Sequence, residues 1–356
     1  MRASGFLLAA ALIWVFGEGT AWPQTLPLVG HFTVDNGPIT NLAWSPDGIH
    51  MAYCGAPGCR IVLASSGKVS AVIPDTVTLT TGLGPGNMAF SADGMLLFLP
   101  AEMARPGEFM SVWNSATGAP AGQIAGPPAG LSKGSTSMGL LAASADHHRL
   151  LAVLSGFGVP GMVFDLPGRQ AQRVVIPPPG EDFEAISLSP DGRVFAAAED
   201  ADAVRFYDAN AGTELGRLPV PASVSATAFS PDGRFFAAGF RNGGAAADAG
   251  SLKTPIYLWP LKNRLPHGAP RKLCGAQAQG VRTMLWQAGS RAVIYDDGDG
   301  KTAICPVDGG AEIVVQRRAD DALGYLALSP DGRDLAVGAD GRVDVFLMPG
   351  KNQAGE

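Results

Sequence analysis

The sequence predicts an all-β fold: a seven-bladed β-propeller closed by an N-terminal strand that completes the last blade. Three observations predict it. A Ser-Pro-Asp-Gly turn between two short apolar strands recurs in phase along the 356 residues. A further strand in each repeat ends in an aromatic followed by a polar or turn-forming residue. Glycine and proline are abundant, 47 and 28 residues, as many short strands and tight turns require, and no long helical period is visible after the N-terminal segment.

The turn is intact at Ser45-Pro46-Asp47-Gly48, Ser189-Pro190-Asp191-Gly192, Ser230-Pro231-Asp232-Gly233 and Ser329-Pro330-Asp331-Gly332. It is altered at Ser91-Ala92-Asp93-Gly94 and Ser144-Ala145-Asp146-His147, and degenerate at Gln287-Ala288-Gly289-Ser290. Successive starts lie 46, 53, 45, 41, 57 and 42 residues apart, near the roughly 40–50 residues of one propeller blade. Before each turn runs a strand such as Leu42-Ala43-Trp44 or Thr227-Ala228-Phe229. Its period-two alternation with small residues suits the crowded innermost position. Proline presets the turn's backbone angle, and Asp and Gly take the remaining geometry. A second strand follows directly, as in Val194-Phe195-Ala196-Ala197. The third ends at Trp113-Asn114, Phe164-Asp165, Tyr207-Asp208 or Trp259-Pro260. The last repeat supplies only three strands, so residues 26–34, which precede the first blade, are expected to serve as its outer strand and cover an open edge.

On these turns and aromatic-polar pairs, residues 26–350 resemble the WD-repeat and YVTN-type seven-bladed propellers. A Gly-His pair typical of WD repeats occurs only at Gly30-His31, so the resemblance leans toward the looser, exported bacterial type. It implies the fold; such propellers host scaffolds, sensors and enzymes alike.

Residues 6–17 form an apolar stretch behind Arg2, followed by the small residues Gly19-Thr20-Ala21. This predicts a cleaved export signal over residues 1–21 and a single propeller domain over 22–356, in the periplasm or secreted. The run is shorter than the ~20 apolar residues of a spanning helix, and no later segment offers a membrane span. The formal charge of −6, with no basic run, removes the driving force for nucleic acid and for anionic membrane surfaces. In an exported chain, four cysteines permit disulfides. Cys54 and Cys59 flank a turn between two strands and are the candidate cross-strand pair. Cys274 is placed in the outer strand of one blade and Cys305 in the third strand of the next, nearer opposite ends, so two buried thiols are expected there.

Several patterns imitate chemistry. Gly130-Leu131-Ser132-Lys133-Gly134 matches a nucleophile elbow but lies in a Pro/Gly/Ser-rich connection with no helix after it. Gly156-Phe157-Gly158-Val159-Pro160-Gly161 matches a dinucleotide fingerprint, yet a strand follows it instead of a helix. Asp296-Asp297-Gly298-Asp299-Gly300-Lys301-Thr302 reads as a solvated acidic hairpin tip, weak calcium binding being the lesser alternative. His31, His50, His147, His148 and His267 show no zinc or haem spacing, and His147-His148 is expected to be exposed. No catalytic residue, metal or cofactor is expected.

Loops from second to third strand, and from fourth strand to the next blade, share one face of a propeller and present function on a rigid support. The long ones span residues 100–108, 126–138, 177–183 and 241–254. Met103, Arg105, Phe109, Glu181, Asp182, Phe183, Arg241 and Asn242 supply the mixture of large apolar and charged groups found at recognition surfaces. The expected function is a monomeric, non-enzymatic scaffold binding another protein or a cell-envelope component. The alternatives are a lactonase-like hydrolase with its site at the central channel, and an accessory subunit of a periplasmic redox complex.

Overall fold

The computed structural model describes residues 25–55, 58–74, 88–100, 108–125, 138–154, 161–166, 170–175, 183–199, 203–240, 256–274, 280–298, 300–315 and 324–349. They form no helix and seven small antiparallel sheets, one per repeat, arranged as a seven-bladed β-propeller. The predicted export signal, residues 1–21, lies outside the described residues.

Blade 1 runs through Asn41–Trp44, His50–Cys54, Cys59–Leu63 and Val69–Ile73. Blades 2, 3 and 4 repeat this order, beginning at Ala89–Phe90, Met138–Ala143 and Phe183–Leu188. Blade 5 comprises Val224–Phe229, Phe235–Phe240, Ile256–Lys262 and a two-residue outer strand, Arg271–Lys272, with Leu265–Pro266 paired antiparallel to the end of its third strand. Blade 6 comprises Thr283–Trp286, Ala292–Asp296, Thr302–Pro306 and Ile313–Val315. Blade 7 begins at Tyr325–Leu328 and continues through Asp334–Leu347, whose far half pairs with the N-terminal strand Leu28–Pro38. The pairing of Phe32 with Val343 and of Leu28 with Phe346 is the closure expected from the missing fourth strand.

Six of the seven turns are built the same way, around a serine–aspartate pair that the blade 6 turn lacks. In blade 5, Ser230 Oγ donates to Asp232 Oδ1 at 2.7 Å and accepts the Phe235 N–H at 2.8 Å. Asp232 Oδ1 also accepts the Arg234 N–H at 3.0 Å, while the Ser230 N–H reaches the Phe235 carbonyl at 2.8 Å. The last turn residue must take a left-handed backbone, φ +69° at Gly233, which glycine adopts without cost. His147 and Ser290 hold that conformation at φ 56° and 57° in the altered blade 3 turn and the degenerate blade 6 turn. In blades 2 and 4 the polar member of the aromatic-polar pair closes the next hairpin: Asn114 Oδ1 accepts the Ala116 and Thr117 N–H groups, and Asp208 Oδ1 those of Asn210 and Ala211. A short polar side chain there offers the backbone a local partner where the strand must end.

The core is divided into seven apolar clusters, one at each junction between neighbouring blades. Between blades 1 and 2, Cys54, Ile61 and Ile73 meet Phe90, Leu97 and Trp113. Between blades 2 and 3, Phe98 and Val112 meet Leu150 and Phe164. Alternation along each strand thus sends successive side chains to opposite neighbours: Leu97 and Phe98 serve different junctions. The last cluster joins Val34, Val343 and Val345 of blade 7 to Met51, Tyr53 and Val62 of blade 1, so the ring is sealed by the same contact that repeats around it.

Candidate functional site

Of the eight residues expected on the loop face, Met103, Arg105, Glu181, Asp182, Arg241 and Asn242 lie outside the described residues. Phe109 falls within the strand Glu108–Asn114 rather than in a loop. Phe183 opens the strand Phe183–Leu188 and is 5 % exposed, packed with Leu151, Val153, Val163 and Phe195. Its alternation with polar Glu184 turns it toward blade 3, so it belongs to the core and not to an exposed surface.

The innermost strands carry one acid, Glu184, and no histidine among the described residues. Their polar groups are mostly small: the hydroxyls of Ser187, Thr227 and Thr283 are buried and find no partner among the described residues.

Among the described residues, sulfur and titratable groups gather where blade 6 meets blade 5. Tyr295 is fully buried in the second strand of blade 6. Opposite it stands Ala303, whose small side chain leaves room for the ring to reach the start of the outer strand. There the Tyr295 hydroxyl donates to Glu312 Oε1. Lys301 Nζ lies 2.9 Å from the same oxygen and 5.8 Å from the Tyr295 ring centroid. Burial, then the bond to Glu312, then the nearby charges of Glu312, Asp297 and Asp296 push the Tyr295 hydroxyl far above its ordinary range. It is therefore a fixed hydrogen-bond donor and is not poised as a base.

Beside this group the structure joins Cys274 to Cys305 by a disulfide, with Cα atoms 5.6 Å apart. The two buried thiols expected from the sequence are thus corrected. Blade 5's outer strand is only two residues long, so the chain leaves it at Leu273 and brings Cys274 against the third strand of blade 6, within 4.0 Å of the Ile304 carbonyl oxygen. The expected Cys54–Cys59 pair is present as well, closing its hairpin with Cα atoms 4.1 Å apart.

The acidic hairpin is corrected too. Asp296 and Asp297 are 0 % and 3 % exposed rather than solvated. Asp296 accepts the Gly298 N–H at 2.9 Å and the Thr302 hydroxyl at 2.7 Å, while Asp297 accepts the Lys301 N–H at 3.0 Å. These carboxylates hold the tight hairpin in shape. His147 is half-buried, with a hydrogen bond to the Phe90 backbone of blade 2, whereas His148 is exposed as expected. The serine of the elbow-like pattern, Ser132, lies outside the described residues. The glycine-rich pattern ends at Gly161, which starts a strand antiparallel to Arg149–Leu154.

The opposite face, formed by the Ser-x-Asp-Gly turns, carries a feature the sequence reading missed. The residue after the turn is exposed Ile49 or Met95 in blades 1 and 2, at 54 % and 60 %, but exposed Arg193, Arg234 and Arg333 in blades 4, 5 and 7. Aligning the repeats at that one position would have shown the contrast.

Fold and site together define a closed seven-bladed propeller whose described polar groups serve chiefly its own turns and blade junctions. Comparison with protein-family models and with curated proteins finds no match. Among the described residues, no helix is long and apolar enough to cross a membrane.

Proposed function

We propose that this chain is an exported, non-enzymatic scaffold that binds another protein or a cell-envelope component through its loop face. The carrying observation is where the polar chemistry goes. Serines and aspartates that could have formed a catalytic set are committed to six structural turns and to the blade 6 hairpin. What remains is a rigid ring offering long connections to a partner. Two further features support the reading: among the described residues the inner strands pair a single acid with small hydroxyls, and Arg105, Glu181, Asp182 and Arg241 place charge, and Asn242 a polar amide, in the long connections.

In-cell photo-crosslinking from positions 105 and 241 tests it. One partner should be captured at both positions and lost in an Arg105→Glu, Arg241→Glu double variant of unchanged melting temperature. Turnover of a lactone or ester panel by purified protein, with no captured macromolecule, would replace the scaffold reading with a hydrolase.

A further inference from the structure

The junction of blades 5 and 6 holds more ligand chemistry than a structural crosslink uses. The sulfurs of Cys274 and Cys305 and a carboxylate oxygen of Glu312 lie within 4.8 Å of one another. These residues come from three separate segments: the connection after blade 5's outer strand, the third strand of blade 6 and the residue just before its fourth strand. Tyr295 and Lys301 both engage Glu312 at Oε1, which fixes the carboxylate and leaves Oε2 as the oxygen to offer an ion. Cys305 is fully buried, while Cys274 and Glu312 are only half-buried, so the cluster has a wall on one side and an approach from solvent on the other.

We propose that Cys274, Cys305 and Glu312 form a reduction-gated site for a thiophilic divalent cation, with Zn2+ as the best match. Two thiolates and one carboxylate are donors that zinc accepts, at about 2.3 Å for sulfur and about 2.0 Å for oxygen. A tetrahedral site of that size needs its ligand atoms roughly 3–4 Å apart. The cluster meets this spacing once the sulfur–sulfur bond opens and the sulfurs separate. The charges also balance: two thiolates and Glu312 contribute three negative charges, against two positive on the ion and one on Lys301. The fourth position faces the half-exposed side of Cys274 and is left to water. Tyr295 acts as a positioning residue, holding the carboxylate as an outer partner orients a metal ligand.

Gating requires a reductant, and a dithiol supplies it. One donor thiolate attacks a sulfur of the disulfide, the Cys274–Cys305 bond breaks, and the second donor thiol resolves the mixed disulfide. The donor leaves oxidised to its own disulfide. Two electrons and two protons pass to Cys274 and Cys305, and the cation then displaces those protons.

The test uses the full chain in oxidised form and after dithiothreitol reduction, with the reductant removed anaerobically. Each is titrated with ZnCl2 by calorimetry, and with CoCl2 to record the near-ultraviolet thiolate-to-cobalt band. The reduced chain should bind a cation that the oxidised chain does not, with the thiolate band. Glu312→Gln should weaken zinc binding at least tenfold, and Cys274→Ser should abolish the extra site. Both changes fall on half-buried positions, and Glu312→Gln lies far from the Cys54–Cys59 pair, so its effect separates the two cysteine pairs. No uptake by the reduced chain, equal uptake by the oxidised chain, or unchanged affinity in Glu312→Gln would overturn the proposal.

Discussion

Replacing Ser230 by alanine isolates the device on which the whole ring depends. The hydroxyl is fully buried and makes two bonds, to the Asp232 carboxylate at 2.7 Å and from the Phe235 N–H at 2.8 Å. Alanine leaves the Phe235 N–H without that acceptor in a site closed to water, a loss of about 1–3 kcal/mol. The Asp232 carboxylate is partly exposed and recovers its lost donor from solvent, so little is added from that side. The expected cost is therefore ~2 kcal/mol. Unfolding entropy of about 2.1 cal/mol/K per residue over roughly 335 residues gives ~0.7 kcal/mol/K, so the melting temperature should fall by about 3 °C. Ser189 and Ser329 make the same pair of bonds, to Asp191 and Val194 and to Asp331 and Asp334. Alanine at either should therefore cost as much as at Ser230. Differential scanning calorimetry of the three variants decides the matter, with exposed Ser65→Ala as the control. Three variants melting with the wild type and the control would refute the turn as the repeated anchor.

Deleting residues 26–34 removes buried Leu26 and Val34 together with the outer strand of blade 7. A large loss of melting temperature is expected by circular dichroism, and an unchanged melt would refute closure by this strand. A methyl group built on Gly67 would meet the Phe32 ring at 2.6 Å, and Gly67 holds φ +66°. Gly67→Ala should consequently destabilise by about 1–3 kcal/mol in a denaturant titration, and a gain in stability would contradict the packing of that strand on blade 1. Partial burial pushes the carboxyls of Asp47, Asp146, Asp191 and Asp232 up, but serine hydroxyl and backbone donors together bring them below their ordinary value; at Asp93 and Asp331 the serine bond is the largest influence. Their stabilisation is complete above about pH 4 and is lost as pH falls through their lowered values. Asp334, raised by burial, opposes this trend. Burial lowers His147 in spite of its bond to the Phe90 backbone, so its contribution is present above about pH 6.5 and fades as pH falls below that value. His147→Asn should flatten the dependence of stability on pH below about pH 6.5, and a slope unchanged from wild type would exclude the histidine.

The repeat could be read from the chain alone: the turn serine, its aspartate two residues on, the left-handed fourth position and the aromatic-polar end of the third strand. Each is a contract among neighbours in the chain, so the residue types alone specify the geometry. The missing fourth strand of the last blade was legible for a related reason, since an apolar segment ahead of the first blade had one vacant edge to fill. The Cys54–Cys59 pair belongs here as well, because a hairpin sets two residues opposite one another through its own register. Tertiary structure alone decided the rest. Phe183 was buried by its packing against Leu151, Val153 and Val163 of blade 3, and Asp296 and Asp297 by the packing around a hairpin whose sequence reads as polar. Cys274 met Cys305 because an outer strand two residues long released the chain across a blade junction. Spacings within a blade are set by local backbone chemistry, whereas meetings between blades depend on strand lengths and tilt, which no local run of residues records.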